Sequence, residues 1–288
     1  MRDIPTSPRI IEIKHKRRIR RLRLIILFFI LFISIVGALS FFSSNKHIVI
    51  NKVVVIGTHI IDQEDIEKEV YKNISGKYIY LFSRNNSLIY PHSKIYKNLL
   101  LKFPRIESLS VGRDNLNTLQ IKIVERTGAY LYCGEEVPEN KNDVGENCYF
   151  INNDGFIFDK APYFSGNVYF KYYMKIENEA GNPQGKQMTN VENFYNLARF
   201  IDKITALGFK PIYIVKDQDG TNYLYLNHGA NGTLPKIVFK NDADLSVIQD
   251  NLLLSMKKKE FADEINSKYN TLLYIDLRFK NKVLYKFQ

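Results

Sequence analysis

A run of 19 uncharged residues at positions 24–42, LIILFFILFISIVGALSFF, constrains this 288-residue chain more than any other stretch. As a helix rising about 1.5 Å per residue it reaches roughly 28 Å, close to the ~30 Å hydrocarbon thickness of a bilayer. A helix satisfies its own backbone hydrogen bonds, so such a run can lie in lipid without unpaired peptide groups. The 23 residues before it carry nine basic side chains (Arg2, Arg9, Lys14, Lys16, Arg17, Arg18, Arg20, Arg21, Arg23) against Asp3 and Glu12, which is most of the net charge of +11. Basic residues flanking a spanning helix stay on the cytoplasmic side, so residues 1–23 are expected inside as a basic tail and the chain after position 42 outside. Attraction of such an arm to anionic lipid or nucleic acid is a secondary property. A cleaved signal peptide is the competing reading, since Ala38-Leu39-Ser40 offers a cleavage triplet. The run is longer than the usual signal core of about 7 to 15 residues, and Phe41 and Phe42 continue it, so an uncleaved anchor is expected.

About 246 residues follow, enough for two compact domains rather than one small stapled module. Of the 41 Lys and Arg and the 30 Asp and Glu in the chain, this part keeps 32 and 28, so no nucleic-acid partner is implied for it. Tyr and Phe number 19 each with no Trp, a composition that favours sheets.

The segment 48–57, IVINKVVVIG, reads as a strand ending on a turn residue. Asp62 suits a helix N-cap, with Asp65 adding negative charge in the first turn and Ile61 stapling from outside. Ile66, Val70 and Ile74 give that helix one buried face before Gly76 ends it. A second helix is predicted over 91–103, with Ile95, Leu99 and Phe103 on one side and Pro104 as its stop. Strands 106–113 and 118–125 follow, separated by the turn residues Asp114-Asn115-Leu116-Asn117.

With an anchor ahead of them, these elements carry a resemblance. Val53-x-x-x-Gly57, Phe103-Pro104-Arg105-Ile106, Val111-Gly112-Arg113, Asn117-Thr118-Leu119 and Val124-Glu125-Arg126 resemble the FtsQ/DivIB family of bacterial cell-division proteins. The resemblance implies an α+β protein: a single N-terminal transmembrane helix at 24–42, a POTRA domain (β-α-α-β-β) at 46–126, and a mainly antiparallel β domain with packed helices at 127–288.

Strands are predicted at 129–133 and 148–152, with Asn153-Asp154-Gly155 turning into Phe156-Ile157-Phe158. Cys133 and Cys148, the only cysteines, bracket the first pair and fall on the side of the membrane where disulfides persist, so a structural disulfide closing the polar loop 134–147 is expected. Thr189-Asn190-Val191-Glu192 is a capping-box pattern, and Phe194, Leu197, Ile201 and Ile204 stripe the helix behind it up to Gly208. Further strands are predicted at 212–215, 223–226 and 236–239, and a helix over 242–256 with Leu245, Ile248, Leu252 and Met256 on one face.

Support for catalysis, metal or cofactor binding is thin. His15, His47, His59, His92 and His228 are scattered without zinc-ligand spacing. The segment 181–187, GNPQGKQ, is one residue short of a phosphate-binding loop and has Gln187 where Ser or Thr should bind magnesium. Asp217-Gln218-Asp219-Gly220 lacks the end ligands of a calcium loop and reads as a turn. Ser43-x-x-Lys46 and Ser255-x-x-Lys258 match the Ser-x-x-Lys of peptidoglycan-acting serine enzymes, without any Lys-Thr-Gly. A non-enzymatic role with no cofactor, metal, small-molecule substrate or nucleic acid is therefore expected, with an anchored peptidoglycan enzyme as the alternative. A POTRA-containing translocation component is a second alternative, disfavoured by a single POTRA-like segment and no barrel strands.

The chain closes on 272–279, LLYIDLRF, then Lys280-Asn281-Lys282, then 283–287. Alternation places Leu273, Ile275, Leu277 and Phe279 on a packed face and Tyr274, Asp276, Arg278 and Lys280 on a free one. Asp276-Leu277-Arg278-Phe279 is similar to a closing motif of FtsQ/DivIB proteins. In that family the last strands receive small single-span coiled-coil proteins of the FtsB/DivIC and FtsL types. The resemblance thus implies a divisome scaffold at the septum, with Tyr274 and Phe279 as apolar anchors, Asp276 and Arg278 as charge selectors, and Lys280 beside them.

Overall fold

A computed structural model describes residues 8–138, 147–164, 166–176, 181–227 and 234–288. Helix α1, Pro8–Ser43, contains one segment, Arg17–Ser43, long and apolar enough to cross a membrane. It runs past the apolar core on the N-terminal side because the arginines there are good helix formers. A signal sequence shares these properties.

Contacts divide the chain into two compact units, one of Met1–Lys102 with Ser108–Glu125, the other of Phe103–Glu107 with Arg126–Gln288. In the first, β1 (Lys52–Ile56), α2 (Gln63–Ile74), β2 (Lys77–Tyr78), β3 (Phe82–Ser83), α3 (His92–Lys102), β4 (Ile106–Arg113) and β5 (Thr118–Glu125) follow in order. Two helices separate β1 from the later strands, so β1 can lie parallel to β5, and the sheet runs β1-β5-β4. The expected order of strand, helix, helix, strand, strand is present, with the unpredicted hairpin β2–β3 between the helices. Strand β1 is shorter than predicted. Residues 48–51 spend their hydrogen bonds elsewhere: Ile50 N–H donates to Asn85 C=O and Ile48 C=O accepts from Ser87 N–H, both at 2.8 Å.

Asp62 caps α2 by accepting from Glu64 N–H at 2.9 Å. Ile66, Val70 and Ile74 are buried, as are Ile95 and Leu99 on α3, which packs against α2. Phe103 does not complete that stripe; α3 stops at Lys102 and Phe103 belongs with the second unit. The carboxylate of Glu125 accepts from the backbone N–H groups of His59, Ile60 and Ile61 at 2.8, 3.1 and 3.0 Å, fixing the loop between β1 and the α2 cap.

In the second unit β6 (Tyr130–Tyr132), β7 (Tyr149–Ile151), β8 (Ile157–Lys160), β9 (Lys171–Tyr173), α4 (Val191–Ala206), β10 (Pro211–Lys216), β11 (Thr221–Leu226), β12 (Lys236–Lys240), α5 (Leu245–Met256), α6 (Lys259–Ser267), β13 (Leu272–Asp276) and β14 (Leu284–Phe287) build one nine-stranded sheet with three helices. Its order is β14-β13-β12-β11-β10-β9-β6-β7-β8. The joints β12/β13, β10/β9 and β9/β6 are parallel and the others antiparallel, so the sheet is mixed. Helices bridge two of the parallel joints, α4 between β9 and β10, and α5 with α6 between β12 and β13.

One face of the sheet holds the larger core, and a smaller buried cluster of Leu131, Cys148 and Ala161 lies on the other. Tyr172, Ile214, Leu224, Ile237, Ile275 and Leu277 form a single buried cluster with Phe194 and Ile204 of α4, Leu252 of α5 and Ile265 of α6. Each large apolar side chain so buried contributes about 1.5–3 kcal/mol. The N-cap of α4 is Asn190 rather than the Thr189 that the capping-box pattern implies, because its side chain reaches Asn193 N–H at 2.7 Å. At the predicted turn, Asn152 Oδ1 accepts from Asp154 and Phe156 N–H, and Gly155 has φ +80°. A Cβ at Gly155 would stand 2.7 Å from the Phe194 ring, so the position demands glycine.

Cys133 and Cys148 are bonded, just beyond the pair Tyr132↔Tyr149 that ends β6 and β7. Most of the loop they close, 139–146, lies outside the described residues. Arg105 forms an ion pair with Asp159 at 2.6 Å, and Arg126 donates to Pro104 C=O while covering the Phe156 ring.

Two outcomes are expected. The double variant Cys133→Ser/Cys148→Ser loses about 3 kcal/mol for a 15-residue separation, read as a lower urea midpoint, and the native protein shows no alkylatable thiol by mass. Glu125→Ala, which leaves two exposed amides to water and the half-buried Ile61 N–H without its acceptor, destabilises the first unit by about 1 kcal/mol in the same measurement.

Candidate partner-binding edge

A strand at the end of a sheet offers unpaired N–H and C=O groups, so the two ends of the nine-stranded sheet are the places to look for strand recognition. They differ. Where β8 begins the outer side is occupied: Ile157 N–H donates to Lys186 C=O, Gly185 N–H to Ile157 C=O, and Phe156 bridges Gln187. This is how the glycine-rich segment 181–187 is used. Strand β14 pairs only with β13 among the described residues.

Gln288 N–H donates to Thr271 C=O at 2.9 Å, so alternate residues along β14 turn their backbone toward β13, and Tyr285 and Phe287 direct theirs outward. Their side chains lie on α6. Tyr285 O–H donates to Glu264 Oε2 at 2.7 Å, its ring meets Phe261 at 5.1 Å, and Lys268 covers Phe287. The edge is thus backed by side-chain contacts with α6 and Lys268 while its backbone faces out.

On the sheet face away from the helices, paired residues form one cross-strand row: Lys171, Tyr213, Tyr225, Lys236, Tyr274 and Lys286. Tyr213 and Tyr225 stack at 4.5 Å and 24°, and Lys236 Nζ lies 4.7 Å over Tyr223. Burial and the neighbouring Tyr225 push the Tyr213 phenol up to about 12, and burial raises Tyr225 as well, so both remain neutral hydrogen-bond donors at physiological pH.

The five residues singled out in the sequence fall in two places. Tyr274 is half-buried within β13, between Lys236 and Lys286, not at the edge. Asp276 ends β13, but the expectation of a free face fails for it: only 5% is exposed. Arg278 supplies the reason, giving Asp276 its backbone N–H at 3.0 Å, Nε at 3.0 Å and Nη2 at 2.7 Å. Burial works to raise the Asp276 carboxyl, yet these hydrogen bonds hold it below its ordinary value. The two presumed charge selectors satisfy each other. Phe279 is not on the packed face; it is 48% exposed in the turn after β13. Lys280 is exposed in the same turn, its C=O accepting from Asn251 Nδ2. An irregularity between Leu272 and Tyr274 explains the rest of the shifted pattern, since it buries Leu272 along with Ile275 and Leu277 while Leu273 is only half-buried.

Of the row only Tyr274 was singled out from the sequence; Tyr285, Phe287, Lys171, Tyr213, Tyr225, Lys236 and Lys286 were not. Alternation puts Tyr223 and Tyr225 on one face of β11, but only the pairing of the strands and the packing of three helices reveal that Tyr213 shares it and that it lies away from the helices.

The other chemical candidates are occupied by structural roles. Ser43 is buried and accepts from Ser83 N–H at 3.0 Å; Ser255 O–H donates to Asn251 C=O. Residues 217–220 form the β10–β11 turn, with Gly220 N–H on Asp217 C=O. Among the described residues no group of three or more His, Cys, Asp or Glu could hold a metal, and His228 lies outside them. Compared with known proteins, the chain matches no family model and no curated protein.

Replacing Asp276 by Asn tests the pair. A carboxylate whose folded pKa is depressed stabilises fully above its unfolded value, near 4, and the benefit disappears as pH falls through the folded value. Asp276→Asn is expected to cost about 1–2 kcal/mol at pH 7, discounted for the exposed guanidinium, with the gap to the parent narrowing below about pH 4 in denaturation curves.

Proposed function

We propose that this chain is a non-enzymatic, single-span membrane scaffold of the bacterial divisome, similar to FtsQ/DivIB, which captures small coiled-coil division proteins of the FtsB/DivIC and FtsL types by strand addition. The observation that carries the reading is the outer side of β14, unpaired among the described residues, at the end of a sheet whose opposite end is partly covered. An extended partner segment would pair with the outward N–H and C=O groups of Tyr285 and Phe287, the backbone supplying affinity and the flanking side chains specificity. Phe279, exposed beside the edge, serves as an apolar anchor. Tyr274, Lys286 and Lys236 continue the contact surface inward and suit a segment carrying carboxylates.

Two further features support this reading. The first unit has the strand-helix-helix-strand-strand order expected of a POTRA domain, directly after a helix able to span a membrane. In the proposed topology the arginine-rich residues before the span stay in the cytoplasm and both units lie outside, anchored in the plasma membrane at the septum.

The test uses the full chain in detergent and co-encoded single-span coiled-coil proteins as prey. Tyr285→Pro removes one outward N–H without touching the side facing β13, and is expected to abolish capture; Tyr285→Ala keeps that N–H and retains it. Equal capture by the Pro variant, with circular dichroism unchanged, rules out strand addition at β14. Uniform distribution of a fluorescent fusion, rather than mid-cell recruitment, rules out the divisome role.

A further inference from the structure

The hairpin β2–β3 closes on the turn 78–81, where Leu81 N–H donates to Tyr78 C=O at 2.9 Å. Ile79 and Tyr80, at its centre, have φ of +50° and +61°. Such a turn ordinarily takes Asn-Gly, because a β-branched or bulky side chain at positive φ crowds its own backbone. Here it presents two large apolar residues to the outside, 83% and 94% exposed. Among the described residues no packing accounts for that exposure.

Its position beside α1 does. Ser43 near the end of the helix accepts from Ser83 N–H, and Ser40, one turn earlier, donates to Leu81 C=O at 2.6 Å. The chain therefore descends along the helix as it goes from Ser83 to Leu81, by about 4.5 Å for three helical residues. Ile79 and Tyr80 lie further along that course, level with the last residues of the apolar run. Lys77, paired with Ser83 across the hairpin, is level with Ser43, just outside it.

We propose that the turn 78–81 is a membrane-interface anchor, Ile79 and Tyr80 entering the bilayer beside the outer end of α1 and Lys77 meeting lipid phosphates. This rests on the reading of α1 as a membrane span. The chemistry is that of an interfacial belt: tyrosine rings and an aliphatic side chain at headgroup depth, with a lysine reaching outward. A second contact with lipid fixes the tilt and rotation of the first unit about α1, which one helix cannot do.

Nitroxide labels test this on the full chain in nanodiscs of phosphatidylcholine and phosphatidylglycerol, the native cysteines being disulfide-bonded. Tyr80→Cys is compared with Leu31→Cys inside the apolar run and with Leu101→Cys, an exposed site on α3. Expected is a label at 80 that collides several-fold more with oxygen, relative to an aqueous nickel chelate, than the label at 101. Ile79→Cys repeats the reading where loss of the β-branch eases the turn. Labels at 79 and 80 as water-accessible as 101, with 31 in hydrocarbon, overturn the inference while leaving the span intact. A water-accessible label at 31 overturns the span and the inference together.

Discussion

Every peptide group withdrawn from water needs a partner, and this requirement decides how the chain is built. In α1 the helix supplies the partners itself. In the loop 59–61 three successive N–H groups have none in a strand or helix, and the Glu125 carboxylate takes all three. At the far end of the large sheet, the start of β8 is covered by residues 185–187. Among the described residues the outer side of β14, like those of β1 and β4, has no strand partner, and in β14 the outward groups are backed by a helix.

The edge is also backed from one side. Tyr285 and Phe287 are held against α6 by a hydrogen bond to Glu264, a ring contact with Phe261 and the Lys268 ammonium. An edge strand so fixed loses little conformational freedom when another strand joins it, which favours association without new side-chain contacts. Asp276 and Arg278 act at the preceding turn, where four hydrogen bonds between them hold the chain as it leaves β13.

Much of the first unit was legible because its signals are local. Asp62 caps the helix it precedes, Ile66, Val70 and Ile74 are buried as their spacing requires, and strands 106–113 and 118–125 have the bounds the turn residues imply. The disulfide was legible from two cysteines flanking two strands. Illegible were features set by long-range pairing. Strand β9 is three residues long and exists because β6 and β10 flank it. Alternation alone put Phe279 inside, since nothing local marks the end of β13 at Asp276, and the irregularity near Leu273 is invisible to a two-residue period.

The same distinction explains why recognition surfaces are harder to read than cores. Burial leaves a periodic trace in sequence, whereas an open surface is defined by what does not cover it. Tyr213, Tyr225 and Tyr274 are spread over three strands separated by up to 61 positions, yet they fall in one row because β12 joins β11 and β13 in register. The rings of Tyr213 and Tyr225 stack on one another, so this part of the row is ordered without a partner and presents two neutral hydroxyls between Lys171 and Lys236. A surface pre-arranged in this way resists collapse onto itself, because each lysine already has a tyrosine across the ladder and each tyrosine a neighbour.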